Sequence, residues 1–438
     1  MKFVTGTSTK TVTWQDLTGD GRNNPAAVHG AVHLLRDMGG GVFLTLRMAR
    51  GMLQCVCPPR IVPRGLREEW CVEVSGTVRA EARALGGLEI AAESITVLSR
   101  PAAPMPVSLG RRRLGLNLDT ELGLRPAVLR HARERAVFKI QEGLVRAFRD
   151  YLTGEGFTEV HTPKIVRAGA EGGSNIFRLD YFGKKAYLAQ SPQFYKQTMV
   201  GAFERVFEVG PVFRAEKHAT PRHLNEYTGL DLEMGYIRSF YDVMEAEAGY
   251  LRRAMELLAR EYGEELALLG AQLPRADQIP CLRFDEAKRL AAERYGCPIR
   301  DPYDLEPEEE ARIGRYAREE YGSDFVFVTH YPSRKRPFYA MDDPDDPRYT
   351  LSFDLLLRGM EVTTGGQRIH DYAAQAAKME ARGMDPADFD SYLMIHRCGM
   401  PPHGGLGIGL ERLTMQLCGL DNIRYCSLFP RDRGRLEP

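Results

Sequence analysis

Val212-Phe213-Arg214-Ala215-Glu216-Lys217-His218-Ala219-Thr220-Pro221-Arg222-His223-Leu224-Asn225-Glu226 reads as a strand ending in Arg214-x-Glu216, a polar loop, and the start of a returning strand. The return runs through Asp231-Leu232-Glu233, and a period of two places Asp231 and Glu233 on one face. Lys217, His218, Arg222 and His223 crowd the loop. Several cations held by a rigid hairpin suit a polyphosphate, whose oxygens need fixed donors; a solvated charged hairpin is the alternative. Strands over 205–213 and 227–237 flank this loop. Outward from it, residues 135–152 carry apolar side chains at helical spacing (Val137, Ile140, Leu144, Val145, Phe148, Tyr151, Leu152), stopped by Gly154 and Gly156. Residues 157–165 read as a strand interrupted by Pro163. Residues 177–181 and 186–188 flank a turn at Gly183-Lys184, and 240–263 look helical. Strands return at 325–329, 337–341 and 349–362. Meandering strands with helices grouped around them predict an α+β domain on an antiparallel sheet flanked by helices.

Three further stretches carry chemistry. Gly404-Gly405-Leu406-Gly407-Ile408-Gly409-Leu410-Glu411-Arg412-Leu413 is rich in glycine, which lets a flat group approach the backbone. Arg412 follows where a strand would become a helix, and its planar guanidinium can stack on a base. The run lacks the ending of a Walker loop and has no βαβ setting, so taken singly a tight strand-to-helix turn explains it as well. In Ser352-Phe353-Asp354-Leu355-Leu356-Leu357-Arg358-Gly359-Met360-Glu361, a two-residue turn at Arg358-Gly359 sets residue 356 opposite 361. Asp354 then lies diagonal to Glu361 on one face, with no basic residue interleaved, which suits Mg²⁺ held jointly with phosphates; a pair of solvated strand-face acids is the alternative. In Gln190-Ser191-Pro192-Gln193-Phe194-Tyr195-Lys196-Gln197, Ser191-Pro192 can cap and open a helix, and Gln193 and Lys196 share its face. An ordinary polar surface helix is the alternative there.

The front of the chain differs. Short strands over 28–35, 42–46, 52–56, 71–80 and 88–98, with glycine turns between them, predict a five-stranded barrel of the OB type. A Pro/Ala linker at 101–106 and Arg111-Arg112-Arg113 follow. Lys+Arg and Asp+Glu are 59 each overall, yet residues 1–113 hold 15 basic against 9 acidic side chains. A polyanion must therefore be met by a local patch, and bulk attraction is excluded. No apolar run approaches the ~18 residues of a membrane helix, so no membrane association is expected. With Met1-Lys2-Phe3-Val4 at the start and eight scattered cysteines, a reduced, cytoplasmic protein is expected. His29 and His33, or Cys55 with Cys57, lack a third ligand at a usual spacing, so core or solvated roles are expected for them.

Taken together, these stretches resemble the three motifs of class II aminoacyl-tRNA synthetases, in order: the 135–165 region motif 1, Phe213 to Glu233 motif 2, and Gly407 to Arg412 motif 3. With the barrel, the chain resembles subclass IIb. Residues 190–197, 222–226, 231–233 and Gly365-Gly366-Gln367-Arg368-Ile369-His370 resemble the aspartyl-tRNA synthetases of the archaeal and eukaryotic type. The resemblance implies an anticodon-binding barrel over 1–104, a hinge over 105–130, a catalytic domain over 131–438, and a homodimer built through motif 1. It implies a ligase joining L-aspartate to tRNA(Asp), using ATP with Mg²⁺ and passing through an aspartyl-adenylate. By resemblance, Arg214 holds the α-phosphate, Glu216 the adenine amino group, Arg222 and His223 the outer phosphates, while Arg412 stacks on adenine. Asp354 and Glu361 carry Mg²⁺. Arg214, Glu361 and Arg412 are the expected catalytic set. Glu171 and Gln193 orient the amino acid; Lys196 and Arg368 take its side-chain carboxylate, with Asp231 holding Lys196 and Thr364 nearby. In the barrel, Phe43 stacks on an anticodon base, Gln54 and Glu89 read base edges, and Arg36 contacts phosphate or base; barrel core is the alternative for Phe43.

Two positions depart from the pattern. Gly30-Ala31-Val32-His33 stands where many relatives have Gly-Trp-Val-Trp, and a His at position 33 resembles the relaxed type that also charges tRNA(Asn). Asn175 stands where archaeal relatives more often have Glu. Three rivals remain. The first is an asparaginyl-tRNA synthetase, whose relatives lack a lysine at the position of Lys196. The second is an adenylate-forming paralogue such as an asparagine synthetase, whose forms lack the barrel. The third is a non-catalytic tRNA-binding protein, against which Arg214, Glu361 and Arg412 speak.

Overall fold

The computed structural model describes residues 12, 16–17, 24–49, 51–167 and 176–437. Glu171 and Asn175 lie outside the described residues. The chain divides into two compact units, Met1–His131 and Ala132–Pro438.

In the first unit β1 (Pro25–Asp37), β2 (Val42–Arg47), β3 (Met52–Cys57), β4 (Cys71–Ala80) and β5 (Leu88–Ser99) close a barrel in the order β1-β2-β3-β5-β4. The five strands are those the sequence pattern predicts, lengthened by up to three residues at an end. Alternation builds the core: Val42, Leu44 and Leu46 point inward with Leu53, Cys55 and Cys57 opposite. Two helices close the unit, α1 (Leu118–Gly123) and α2 (Arg125–Val128). Asn117 caps α1 by accepting from the Thr120 amide at 2.9 Å.

The second unit begins with α3 (Ala132–Gly154), the motif-bearing helix expected at 135–152. The expected 157–165 strand is instead two fragments, β6 (Thr158–Glu159) and β7 (Ile165–Val166), in different sheets. Pro163 cannot donate to a ladder and separates them. Next come β8 (Arg178–Tyr181), β9 (Lys184–Leu188), α4 (Gln193–Phe203), β10 (Arg205–Phe213), β11 (Glu226–Gly235), α5 (Tyr241–Glu261), α6 (Gly263–Leu269), β12 (Cys281–Arg283), α7 (Phe284–Tyr295), α8 (Pro307–Tyr321) and β13 (Phe325–Thr329). The unit ends with β14 (Ser352–Leu357), β15 (Met360–Gln367), α9 (Tyr372–Ala381), α10 (Asp390–Arg397), β16 (His403–Gly409) and α11 (Leu410–Cys418). Eight strands form one sheet in the order β12-β13-β14-β15-β16-β11-β10-β6, antiparallel except at its two ends. A small sheet, β7-β9-β8, stands apart.

One face of the large sheet packs against α3, α5 and α11 through a core that includes Ile140, Phe148, Tyr250, Leu258, Leu232, Leu406 and Leu413. The other face carries Asp231 and Glu233 opposite Gly407 and Gly405, and this is where the chemistry collects. The alternation Gly405-Leu406-Gly407-Ile408-Gly409 therefore sorts cleanly, leucine and isoleucine into the core and bare main chain onto the working face.

Three local expectations are corrected. Residues 337–341 form a turn with one isolated bridge, Ala340 to Arg368, because Phe338 and Tyr339 are buried in a satellite cluster and not in a ladder. The β8–β9 turn is Phe182-Gly183, with both residues at positive φ, since Lys184 pairs with Tyr181. Pro192 occupies the N-cap of α4 and no side chain caps the helix, so Ser191 does not cap it. Among the described residues no helix is long and apolar enough to cross a membrane.

Candidate active site

Two adjoining cavities of about 260 and 280 Å³ open on the glycine-lined face and share Arg214, Tyr227, Glu361, Thr364, Gly407 and Gly409. The first holds the residues expected to meet an amino acid. One turn of α4 brings Gln193 and Lys196 to the same side, and both are buried. Lys196 Nζ donates to Asp231 Oδ1 at 3.0 Å and to the Leu406 carbonyl at 2.8 Å, and lies 3.4 Å from Glu233 Oε2. Arg368 Nε donates to Glu233 Oε1 at 2.8 Å, and its terminal nitrogen to the Gly405 carbonyl at 2.9 Å. Two buried cations are thus each keyed to a buried acid. Burial works to raise both acids. At Glu233 the fields of Arg368 and Lys196 win and hold the carboxyl below its ordinary value. At Asp231 burial wins over Lys196 and pushes the carboxyl up. The Nε2 of Gln193 is buried beside this cavity and makes no hydrogen bond among the described residues.

The second cavity is lined by Arg214, Glu216, Arg222, His223, Glu411 and Arg412. The motif hairpin places the first four, with Arg214 5.9 Å from the Tyr227 ring. Arg412 leads out of the glycine strand into α11. Its Nε donates to the Arg222 carbonyl at 3.2 Å and its NH1 to the Glu361 carbonyl at 3.1 Å. His223 Nδ1 lies 2.6 Å from Thr220 Oγ1; burial, then Arg412, lowers its pKa. Glu411 accepts from the Thr228 amide at 3.1 Å, and burial pushes its carboxyl up to about 7.

Across the Arg358-Gly359 turn, 356 lies opposite 361 as the sequence reading expects, but the regular diagonal between Asp354 and Glu361 does not follow. A bulge beyond that pair inserts one residue, so Asp354 faces Thr364, and Thr364 Oγ1 donates to Glu361 Oε1 at 3.2 Å. The expectation that no cation intervenes is corrected. Arg336 lies 2.8 Å from Asp354 Oδ2 and stacks 3.9 Å from the Tyr331 ring, and Arg412 lies 3.6 Å from Glu361. Burial, helped by Glu361, pushes Asp354 up to about 6 against the pull of Arg336. For Glu361, burial is outweighed by Arg412, Arg336 and Arg214, and its carboxyl stays below the ordinary value. The residues fit a divalent cation: Asp354 Oδ1 is buried with no hydrogen-bond partner among the described residues, and both carboxylates are hard oxygen donors.

In the barrel unit, Gln54 and Glu89 are direct partners of β3 and β5, and Gln54 Nε2 donates to Glu89 Oε2 at 3.0 Å. Phe43 pairs with Arg36 across β1 and β2, and it lies on the outer face, since Val42 and Leu44 take the core. Strand period alone would set His33 and Arg36 on opposite faces. A bulge between Val32 and Leu34 absorbs the odd residue, and His33 is half-buried while Arg36 is exposed.

A family model described as tRNA synthetases class II (D, K and N) matches residues 117–433. The chain belongs to the class II tRNA synthetases of the D, K and N group. In this synthetase a second match, described as an OB-fold nucleic acid binding domain, covers residues 26–98, the barrel. The synthetase is 49% identical to the aspartate–tRNA(Asp/Asn) ligase of Thermus thermophilus, over 93% of this chain and 96% of the relative. It is 37% identical to the aspartate–tRNA(Asp) ligase of Pyrococcus abyssi, over 97% and 98%. Among solved structures it resembles the asparaginyl-tRNA synthetase of Pyrococcus horikoshii complexed with asparaginyl-adenylate (TM-score 0.88, 31% identity, 98% of this chain and 100% of that one). It likewise resembles the aspartyl tRNA synthetase of Entamoeba histolytica (TM-score 0.83, 30% identity, 98% and 93%). Two charged residues of the synthetase site carried no sequence signal of their own. Arg336 sits in an irregular turn, and Glu310 is one of three consecutive glutamates in the first turn of α8.

Proposed function

We propose that this synthetase attaches L-aspartate to tRNA(Asp), and to tRNA(Asn) as well, through an aspartyl-adenylate. The observation that carries the reading is the pair Lys196 and Arg368, both buried and both held by their own acids. Aspartate and asparagine are nearly isosteric, so shape cannot separate them. Two fixed cations can, because asparagine would leave them without a matching charge. The rival asparaginyl reading has a solved neighbour in its favour, and Lys196 keyed to Asp231 stands against it.

Catalysis needs no protein nucleophile. The substrate α-carboxylate attacks the α-phosphorus of ATP and pyrophosphate leaves on the opposite side; holding two anions in line supplies the rate. Gln193, with Glu171, orients the amino acid through its ammonium, and Thr364 lies beside it. Arg214 neutralises charge at the α-phosphate, Arg222 and His223 meet the outer phosphates, Glu216 receives the adenine amino group, and Arg412 stacks on the ring. Asp354 and Glu361 would hold Mg²⁺, which when bound supplies further neutralisation of the phosphates. The terminal ribose hydroxyl of tRNA then takes the aminoacyl group. On the barrel, Phe43 stacks on a base while His33, Arg36, Gln54 and Glu89 offer groups to base edges and phosphates. We place the working enzyme in the cytoplasm as a homodimer assembled through α3 and the chain that follows it.

ATP–pyrophosphate exchange with aspartate and with asparagine, followed by charging of both purified tRNAs, tests the reading. Exchange driven by asparagine in preference to aspartate would end it.

A further inference from the structure

Glu310 lies outside all the motifs, yet it is 5% exposed and forms an ion pair with Arg222 at the edge of the nucleotide cavity. Its helix, α8, is fixed hard against the β14–β15 hairpin. A Cβ on Gly314 would stand 2.3 Å from the Gly359 amide nitrogen, and one on Gly359 would stand 2.7 Å from Ala311 Cα. That hairpin is itself pinned, with Arg358 donating to the Gln416 and Gln272 carbonyls at 2.7 Å each. One turn of α8 before Gly314 comes Glu310, and two residues after Gly359 comes Glu361. The helix start is also secured, because Glu309 accepts from Lys288 at 2.6 Å. The carboxylate of Glu310 is therefore delivered to a set position by a backbone contact that tolerates no side chain.

Arg222 uses one end of its guanidinium on Glu310, while Arg412 holds its carbonyl. Its Nε is buried and has no hydrogen-bond partner among the described residues. A guanidinium anchored at one end by an acid, with an unused donor beside a cavity lined by Arg214, His223 and Arg412, is organised for an incoming anion. We infer that Glu310 is a positioning residue: it holds Arg222 ready for the triphosphate tail of ATP, so that ordering the loop arginine is not left to the moment of binding. The inference rests on the reading of Arg222 as a ligand of the outer phosphates.

Exchange kinetics on the purified full-length enzyme decide it, using Glu310→Ala, Glu310→Gln, Arg222→Ala and the double variant Arg222→Ala/Glu310→Ala, with AMP as competitor. Glu310→Ala should raise KM for ATP roughly tenfold with kcat little changed, the loss of one charge-assisted anchor. Inhibition by AMP, which lacks the outer phosphates, should be unchanged. Glu310→Gln, which keeps an acceptor and the volume, should fall between wild type and Ala, and it carries the test if the Ala variant does not fold. The double variant should be no worse than Arg222→Ala alone. A normal KM for ATP in Arg222→Ala would overturn the role of Arg222 and this inference with it. An impaired Arg222→Ala beside a normal Glu310→Gln and Glu310→Ala would overturn the inference alone, as would equal losses for AMP and ATP.

Discussion

Lys196 is 2% exposed at its side chain, and the acids around it leave its ammonium no freedom to leave the pocket. Replacing it by Met would retain much of the volume and abandon Asp231 in a dry site. A buried charge deprived of its partner costs about 3–5 kcal/mol. Lys196→Met should therefore lower kcat/KM for aspartate by two to three orders of magnitude, roughly, without creating activity toward asparagine. Steady-state exchange with both amino acids checks this. A second residue answers to pH. Glu247, on α5 beneath the sheet, accepts from Thr363 Oγ1 at 2.5 Å, and burial pushes its carboxyl from 4.5 to about 8. Between those values the folded chain keeps a proton that the unfolded chain gives up, so stability falls as pH rises, by about 1.4 kcal/mol per unit. Glu247→Gln should remove that component. Denaturant unfolding of wild type and variant near pH 5.5 and pH 8 should show a flatter pH slope for the variant; equal slopes would mean that Glu247 is not the source.

At the scale of elements, β16 makes the sharpest prediction. A Cβ on Gly405 would stand 2.1 Å from Glu233 Oε2 and 2.2 Å from the Leu232 carbonyl, whereas one on Gly409 would meet nothing closer than Arg412 Cβ at 3.8 Å. Gly405→Ala should therefore displace the acid that holds Arg368, lowering both melting temperature and aspartate affinity. Gly409→Ala should fold like wild type and weaken binding in both cavities, which it lines. Calorimetry paired with exchange kinetics separates the two. The same strand shows what could be read without coordinates. Alternation of glycine with leucine and isoleucine is a local signal, and so are the barrel strands and the i, i+3 pair Gln193 and Lys196. Those features were legible because each lies within one element. Arg336 and Glu310 were not, because each acquires its meaning from a partner far off in sequence, Asp354 or Arg222. The two bulges were hidden for a related reason: a one-residue insertion changes which face is presented without changing composition. The turn at 337–341 misled because a buried irregular segment is as apolar as a strand.

For the whole molecule, the balance of 59 basic and 59 acidic residues hides a basic front segment, and tRNA should bind with an affinity that falls steeply with salt. Aspartate charging is expected with both tRNA(Asp) and tRNA(Asn), and His33→Trp should suppress charging of tRNA(Asn) more than that of tRNA(Asp). Single-turnover transfer assays with the two purified tRNAs measure this directly. The floor of the catalytic cleft has a consequence for how such an enzyme can err. Where the nucleotide and amino acid would lie, three positions of one strand present only hydrogen, and peptide planes have no rotamers to sample. A side chain swinging aside on warming cannot widen a surface of that kind; only the opening of the sheet can. Mischarging should then stay flat as the sample is heated and climb abruptly at the melting transition.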